Sequence, residues 1–237
     1  LGSEEERRQY ADFLEHPLSD DHLQKLNPEA QEYENRILDI GKRLRYVYQR
    51  EKRGFGHAVY QAAQFAGNEP VLLLLGDTLY RSDSNKPCAL QMVEEYERYN
   101  SLLVSIHTVP LSEVSHYGIL HGVWEDKERT ALSVDVINEK PKPSYAEEFL
   151  GVRNNNGEKE YYSVFGQYIL TPEVFEQLHL DIMKAEMDKD YSREIELTSA
   201  LEAVRQHSGM MGVRLKGRMY DMGNPAALVR AVTEFSK

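Results

Sequence analysis

Asp77 and Asp221 stand where chemistry on phosphates would need carboxylates. Asp77 follows Gly76 at the end of the apolar run Pro70-Val-Leu-Leu-Leu-Leu75, and Asp221 ends a strand-like stretch in Tyr220-Asp-Met-Gly-Asn224. Open α/β sheets place their ligands at the carboxyl ends of strands. A carboxylate there is costly to bury unless it meets a cation, so Mg²⁺ held between protein and substrate phosphates is its natural partner. The plainer alternative is a helix cap or turn aspartate at each position.

Three further groups carry chemistry by type. Glu139-Lys140-Pro141 follows the strand-like run Ala131 to Asn138. Its glutamate can accept hydrogen bonds from sugar hydroxyls and its lysine can hold a phosphate as a point charge; without context it is an exposed charge pair before a turn. In Gln49-x4-Gly54-Phe55-Gly56-His57-Ala58 a glycine pair joins a strand to a helix. Such a turn lets the backbone approach a ligand and offers unpaired N–H donors, or is simply tight. Glu194, near Leu197-Thr198, reads by itself only as the start of a helix.

The elements that would position these residues alternate. Ser3 with Glu6 is a capping-box pattern opening a helix, and residues 22 to 40 read as helical around an Asn27-Pro28 break. Arg45 to Gln49 reads as a short strand, His57 to Ala66 as a helix, and Val71 to Leu75 as a strand in the middle of a parallel sheet. A helix through Met92, Tyr96 and Tyr99 leads to the strand Ser101 to Val109, the βαβ rhythm. Tyr117 to Val123, Ala131 to Asn138 and Tyr162 to Leu170 then read as antiparallel additions at one edge. The helix Ile195 to Gln206, the strand Met211 to Tyr220 and the helix Asn224 to Phe235 follow, the last packing on the sheet. The fold class is therefore α/β: a Rossmann-like mixed, mainly parallel sheet flanked by helices, with antiparallel strand additions, all in a single domain over residues 1 to 237.

Composition bounds the function. The chain has 28 Lys plus Arg against 39 Asp plus Glu, a formal charge of −11, which argues against nucleic acid and anionic membranes as partners. The one cysteine, Cys88, cannot form an internal disulfide, and with no signal-peptide pattern or long apolar run the chain reads as cytoplasmic.

Taken in order, Gln49 with Gly54-Phe-Gly-His-Ala58, Leu75-Gly-Asp77, Glu113-Val-Ser-His-Tyr-Gly-Ile119, Glu139-Lys-Pro141, Phe165-Gly-Gln-Tyr-Ile-Leu-Thr-Pro172, Glu194-Ile-Glu-Leu-Thr198 and Tyr220-Asp-Met-Gly-Asn224 span nearly the whole chain. No single segment is specific. Together they resemble the sugar-1-phosphate nucleotidyltransferases, and among them the bacterial UTP-glucose-1-phosphate uridylyltransferases. The resemblance implies UDP-glucose and pyrophosphate made from UTP and glucose 1-phosphate, with thymidylyl transfer from dTTP or non-catalytic sugar-nucleotide binding as alternatives. It implies that Gln49 and Gly54 contact the uracil, that Asp77 and Asp221 hold Mg²⁺, and that Gly118, Glu139, Gly166 and Glu194 line the glucose site. Lys140 would reach the phosphates, making Lys140 and Asp77 the catalytic pair, and homo-oligomers are an expectation of the same origin.

The pattern departs from the family at the front, where a strand and a Gly-x-Gly-Thr-Arg loop have no counterpart. The expectation is that about two βα units are missing ahead of Leu1, the rival accounts being a degenerate protein or a partner chain. Thr78, Gln167 and Arg193 also depart from residues common in the family.

Overall fold

The computed structural model describes residues 1–235. In chain order these form α1 (Glu4–Leu14), α2 (Asp20–Leu23), α3 (Pro28–Gly41), α4 (Phe55–Tyr60), α5 (Ala63–Ala66), β1 (Val71–Leu74), β2 (Thr78–Ser82), α6 (Cys88–Tyr99), β3 (Leu102–Val109) and β4 (Gly118–Trp124). There follow β5 (Ala131–Glu139), α7 (Pro143–Tyr145), β6 (Val152–Arg153), β7 (Lys159–Leu170), α8 (Pro172–Met187), α9 (Leu197–Ser208), β8 (Met210–Arg214), β9 (Gly217–Asp221) and α10 (Pro225–Phe235). The mixed α/β class matches the expectation.

Local chemistry accounts for the early helices. Ser3 Oγ accepts from the Glu6 N–H at 3.2 Å to cap α1, and Asn27 Oδ1 accepts from the Ala30 N–H at 2.8 Å to cap α3, with Pro28 at the first helical position. Arg45 to Gln49 is extended but not a strand. Two backbone bonds tie it to Leu1, whose ammonium donates to the Val47 carbonyl and whose carbonyl accepts from the Gln49 N–H, both at 2.9 Å, too few for a ladder. The expected helix His57 to Ala66 is broken into α4 and α5. The Gln61 side-chain amide takes the His57 carbonyl at 3.0 Å, while the Gln61 backbone N–H turns to Ala58.

The central sheet runs β1-β7-β3-β8-β5-β4, with β6 paired to β7 and a further β4–β7 pairing. Among the described residues only β3 and β8 pair in parallel; β1–β7, β3–β7, β5–β8 and β4–β5 are antiparallel. A mainly parallel sheet was expected because β1, α6 and β3 follow βαβ rhythm. The long strand β7 instead lies between β1 and β3 and runs against both, which makes β1 an edge strand whose Leu74 is half-exposed. The stretch Met211 to Tyr220 is two strands, because β8 stays beside β3 while β9 crosses to pair with β2 in a separate two-stranded ribbon.

The core lies on both faces of the sheet. Leu102, Val104 and Ile106 of β3 point into one layer with α8 and α9, whereas Leu103 points into the other with Met92 of α6 and Phe165 of β7. Strand β3 is thus buried on both sides, each such side chain contributing roughly 1.5–3 kcal/mol. Helix α8 had no counterpart among the sequence expectations, although Val174, Phe175, Leu178, Ile182 and Ala185 bury one face at helical spacing.

Candidate functional site

The ribbon β2–β9 sets the two aspartates side by side. Thr78 is directly opposite Asp221, and the Met222 N–H donates to the Asp77 carbonyl at 2.8 Å, so Asp77 lies next to Asp221 across the ribbon end. The Gly223 N–H donates to Asp221 Oδ1 at 2.7 Å. A Cβ on Gly223 would lie 3.1 Å from Asp221 Oδ1 and 3.3 Å from Asp77 Oδ2, so both carboxylates converge on a position that has no side chain. Neither forms an ion pair among the described residues. The donors are hard carboxylate oxygens, of the kind Mg²⁺ takes together with waters and substrate phosphates. They fit that cation as a two-carboxylate clamp; no cluster of three or more metal-ligating side chains exists among the described residues.

These aspartates form one wall of a cleft of about 570 Å³. Gly118, Glu139, Lys140 and Gly166 also line it, so six of the nine residues singled out from the sequence meet in one place. Gly118 and Glu139 are opposite each other on β4 and β5. Glu139 Oε2 accepts from the Thr198 hydroxyl at 2.9 Å, and its Oε1 lies 3.6 Å from Lys140 Nζ. Lys140 has φ +47°, an uncommon conformation for a lysine, closed by its N–H donating to the Tyr117 carbonyl at 3.0 Å. Among the described residues it is the one lysine that lines the cleft, beside the carboxylates of Asp77, Glu139 and Asp221.

Gln49, Gly54 and Glu194 do not line this cleft. They gather beside it, linked through Phe55 and Thr198, which do line it. The Gln49 amide donates to the Gly54 carbonyl at 2.9 Å and lies 3.1 Å from His57 Nδ1. Gly54 has φ +95°, and a Cβ there would meet Glu194 Cγ at 2.5 Å, so only glycine lets the strap 53–56 close on residues 194–196. Two backbone bonds of 2.8 Å hold that closure, Ile195 N–H to the Arg53 carbonyl and Gly56 N–H to the Ile195 carbonyl. Burial, helped by the Arg53 charge, pushes the His57 pKa down and favours the neutral ring.

Sequence reasoning missed Phe55, Tyr117, Tyr168, Thr198 and Met219 as cleft residues. Tyr117 and Thr198 were within reach, since each lies inside a segment that carries a marked residue. So was Tyr168, two residues after Gly166 in the segment Phe165 to Pro172, whereas Met219 carries no such signal.

Residues 19–237 match the model of the nucleotidyl transferase family. The chain belongs to this family. A UTP–glucose-1-phosphate uridylyltransferase of Staphylococcus epidermidis is 31% identical over 191 residues, which cover 81% of this chain and 59% of that relative. One of Streptococcus pneumoniae is 32% identical over 196 residues, covering 82% and 59%. The chain therefore spans about three-fifths of the length of these relatives. Among solved structures, a UDP-glucose pyrophosphorylase complexed with UDP-glucose superposes with a TM-score of 0.74 at 25% identity, over 97% of this chain and 77% of that one. The apo form gives 0.76 at 26% identity over the same shares. Membership in the family agrees with the resemblance read from the seven segments. No helix among the described residues is long and apolar enough to cross a membrane.

Proposed function

We propose that this chain carries the greater part of the active cleft of a UTP–glucose-1-phosphate uridylyltransferase, a cytoplasmic enzyme built on a single nucleotidyltransferase domain. The observation that carries the reading is the convergence of Asp77 and Asp221 on Gly223, in a cleft that Glu139, Lys140, Gly118 and Gly166 also line. The relatives named for this activity support it.

Each side chain has a task in that reaction. A phosphate oxygen of glucose 1-phosphate attacks the α-phosphorus of UTP and pyrophosphate leaves. The nucleophile is already an anion, so no general base is required, and catalysis reduces to positioning and charge neutralisation. Asp77 and Asp221 hold Mg²⁺, which when bound supplies charge neutralisation at the phosphates. Lys140 places a second positive charge there. Glu139, held by Thr198, accepts from glucose hydroxyls, while Gly118 and Gly166 let the sugar approach the backbone; Glu194, outside the cleft wall, packs against Gly54. Gln49 and Gly54 read the uracil. This last pair lies beside the cleft, where a base extending from the phosphates past Phe55 would arrive.

Pyrophosphate release tests the reading, with UTP or dTTP crossed against glucose, galactose and N-acetylglucosamine 1-phosphates in the presence of Mg²⁺. A dominant signal for UTP with glucose 1-phosphate is expected. Silence with every pair, together with tight binding of UDP-glucose, would make the protein a sugar-nucleotide binder instead.

A further inference from the structure

We propose that Ser105, in the middle of β3 and outside the cleft, is a positioning residue that fixes Gly166 in the cleft wall through a latched bulge in β7; the proposal rests on the reading of the cleft as a sugar-phosphate site. The register carries it. Val104 is opposite Tyr168 and Ile106 is opposite Val164, so β7 spends three residues, Phe165, Gly166 and Gln167, where β3 spends only Ser105. Bulges leave ladder groups unpaired, and they recur beside binding sites because they re-aim the chain.

Here one side chain restores the lost pairing. Ser105 Oγ donates to the Gln167 carbonyl and accepts from the Gln167 N–H, both at 3.0 Å. A hydroxyl can do both at once, having one proton and two lone pairs. Ser105 is fully enclosed and Gln167 is 1% exposed, so water cannot replace either bond.

The extra residues then go to opposite sides. Phe165 turns into the core layer formed with Met92 and Leu103. Gly166 is left at φ +84° on the cleft wall, its carbonyl accepting from the Leu75 N–H at 3.4 Å. From behind, the Tyr80 hydroxyl and Leu75 Cδ1 lie 2.5 and 3.2 Å from where a Cβ on Gly166 would be. Gly166 is thus clamped between the ribbon that carries the aspartates and a bulge that Ser105 closes. Ser105 itself touches nothing in the cleft, so its effect on a ligand passes through Gly166.

The test is steady-state kinetics of pyrophosphate release, varying UTP and glucose 1-phosphate separately, for the wild type and the Ser105→Ala, Ser105→Cys and Ser105→Thr variants, with melting curves for each. Loss of one buried hydrogen-bonding group corresponds to about a ten-fold change. The expected result is a rise of that size in KM for glucose 1-phosphate in Ser105→Ala, with KM for UTP changed less than about two-fold and most of the loss recovered in Ser105→Thr. Should the alanine variant not fold, Ser105→Cys, with nearly the same volume and a weak S–H donor, is expected to show the same split at smaller size. An unchanged sugar KM in a folded variant, or equal rises for both substrates, overturns the proposal while the wild-type turnover keeps the functional reading intact. A silent wild type overturns the functional reading, and the sugar-positioning role falls with it.

Discussion

The Thr198 hydroxyl at the start of α9 donates a 2.9 Å hydrogen bond to Oε2 of Glu139 at the end of β5, residues 59 positions apart in the chain. Glu139 Oε1 faces Lys140 Nζ, so the carboxylate is oriented from both sides before any ligand arrives. Thr198→Val keeps the shape of the side chain and removes the donor. A hydrogen bond to a charged group contributes about 1.5–3 kcal/mol, so kcat/KM for glucose 1-phosphate should fall by roughly ten-fold or more. Little change in KM for UTP is expected. Kinetics with each substrate varied in turn checks both statements.

The convergence of Asp77 and Asp221 predicts steep loss when either carboxylate is neutralised. Asp77→Asn and Asp221→Asn should each lower kcat on the order of 10³-fold, because several kcal/mol of charge stabilisation leaves with the metal. Gly223→Ala should raise the Mg²⁺ concentration needed for half-maximal rate, since its Cβ would crowd both carboxylates. A Mg²⁺ titration of pyrophosphate release measures it, and normal turnover by Asp77→Asn would remove the metal assignment.

Gly166 should be intolerant of any side chain. Gly166→Ala meets a left-handed backbone conformation, worth about 1–3 kcal/mol, and a Tyr80 hydroxyl 2.5 Å from the new methyl. Burial pushes the Tyr80 phenol up to about 12, so the hydroxyl stays neutral. Tyr80→Phe in the Gly166→Ala background should recover part of the lost stability, the backbone strain remaining. Urea unfolding of the single and double variants measures the recovered part.

Acid should destabilise the protein through His107. Burial against Phe165 and Tyr117 pushes its pKa down to about 4 from 6.5, and its buried Nε2 has no hydrogen-bond partner among the described residues. The unfolded chain binds the proton more tightly than the folded one, so this contribution is present above pH 6.5 and is lost as the pH falls toward 4. The linkage amounts to about 2 kcal/mol at pH 5 and roughly 3 below pH 4. His107→Leu should flatten the stability profile between pH 4 and 6.5, as urea unfolding at several pH values would show.

Much of the local structure was legible because its causes are local. The Ser3 cap, the apolar period of α6 and α10, and the strands β3, β4 and β5 follow from residues within a few positions of one another, whereas Asn27-Pro28, read as a break, is the cap and first residue of α3. The candidate residues were legible one at a time for the same reason, as acids and glycines at the ends of apolar runs. The break between α4 and α5 was missed although its cause is local, because a glutamine side chain competing for a carbonyl leaves no mark in hydrophobic spacing.

By itself, then, the sequence determined the α/β class, the family and the residue types available for phosphate and sugar chemistry, all properties of short segments and their order. Only the tertiary structure decided that β7 lies between β1 and β3 and turns an expected parallel sheet largely antiparallel. Strand partners are set by which apolar faces pack, a sum over contacts far apart in the chain. For the same reason only the fold could bring Asp77 beside Asp221, and Glu139 under Thr198. It likewise left Gln49, Gly54 and Glu194 beside the cleft rather than in its wall, because the strap 53–56 is bonded to residues 194–196 and not to the sheet ends.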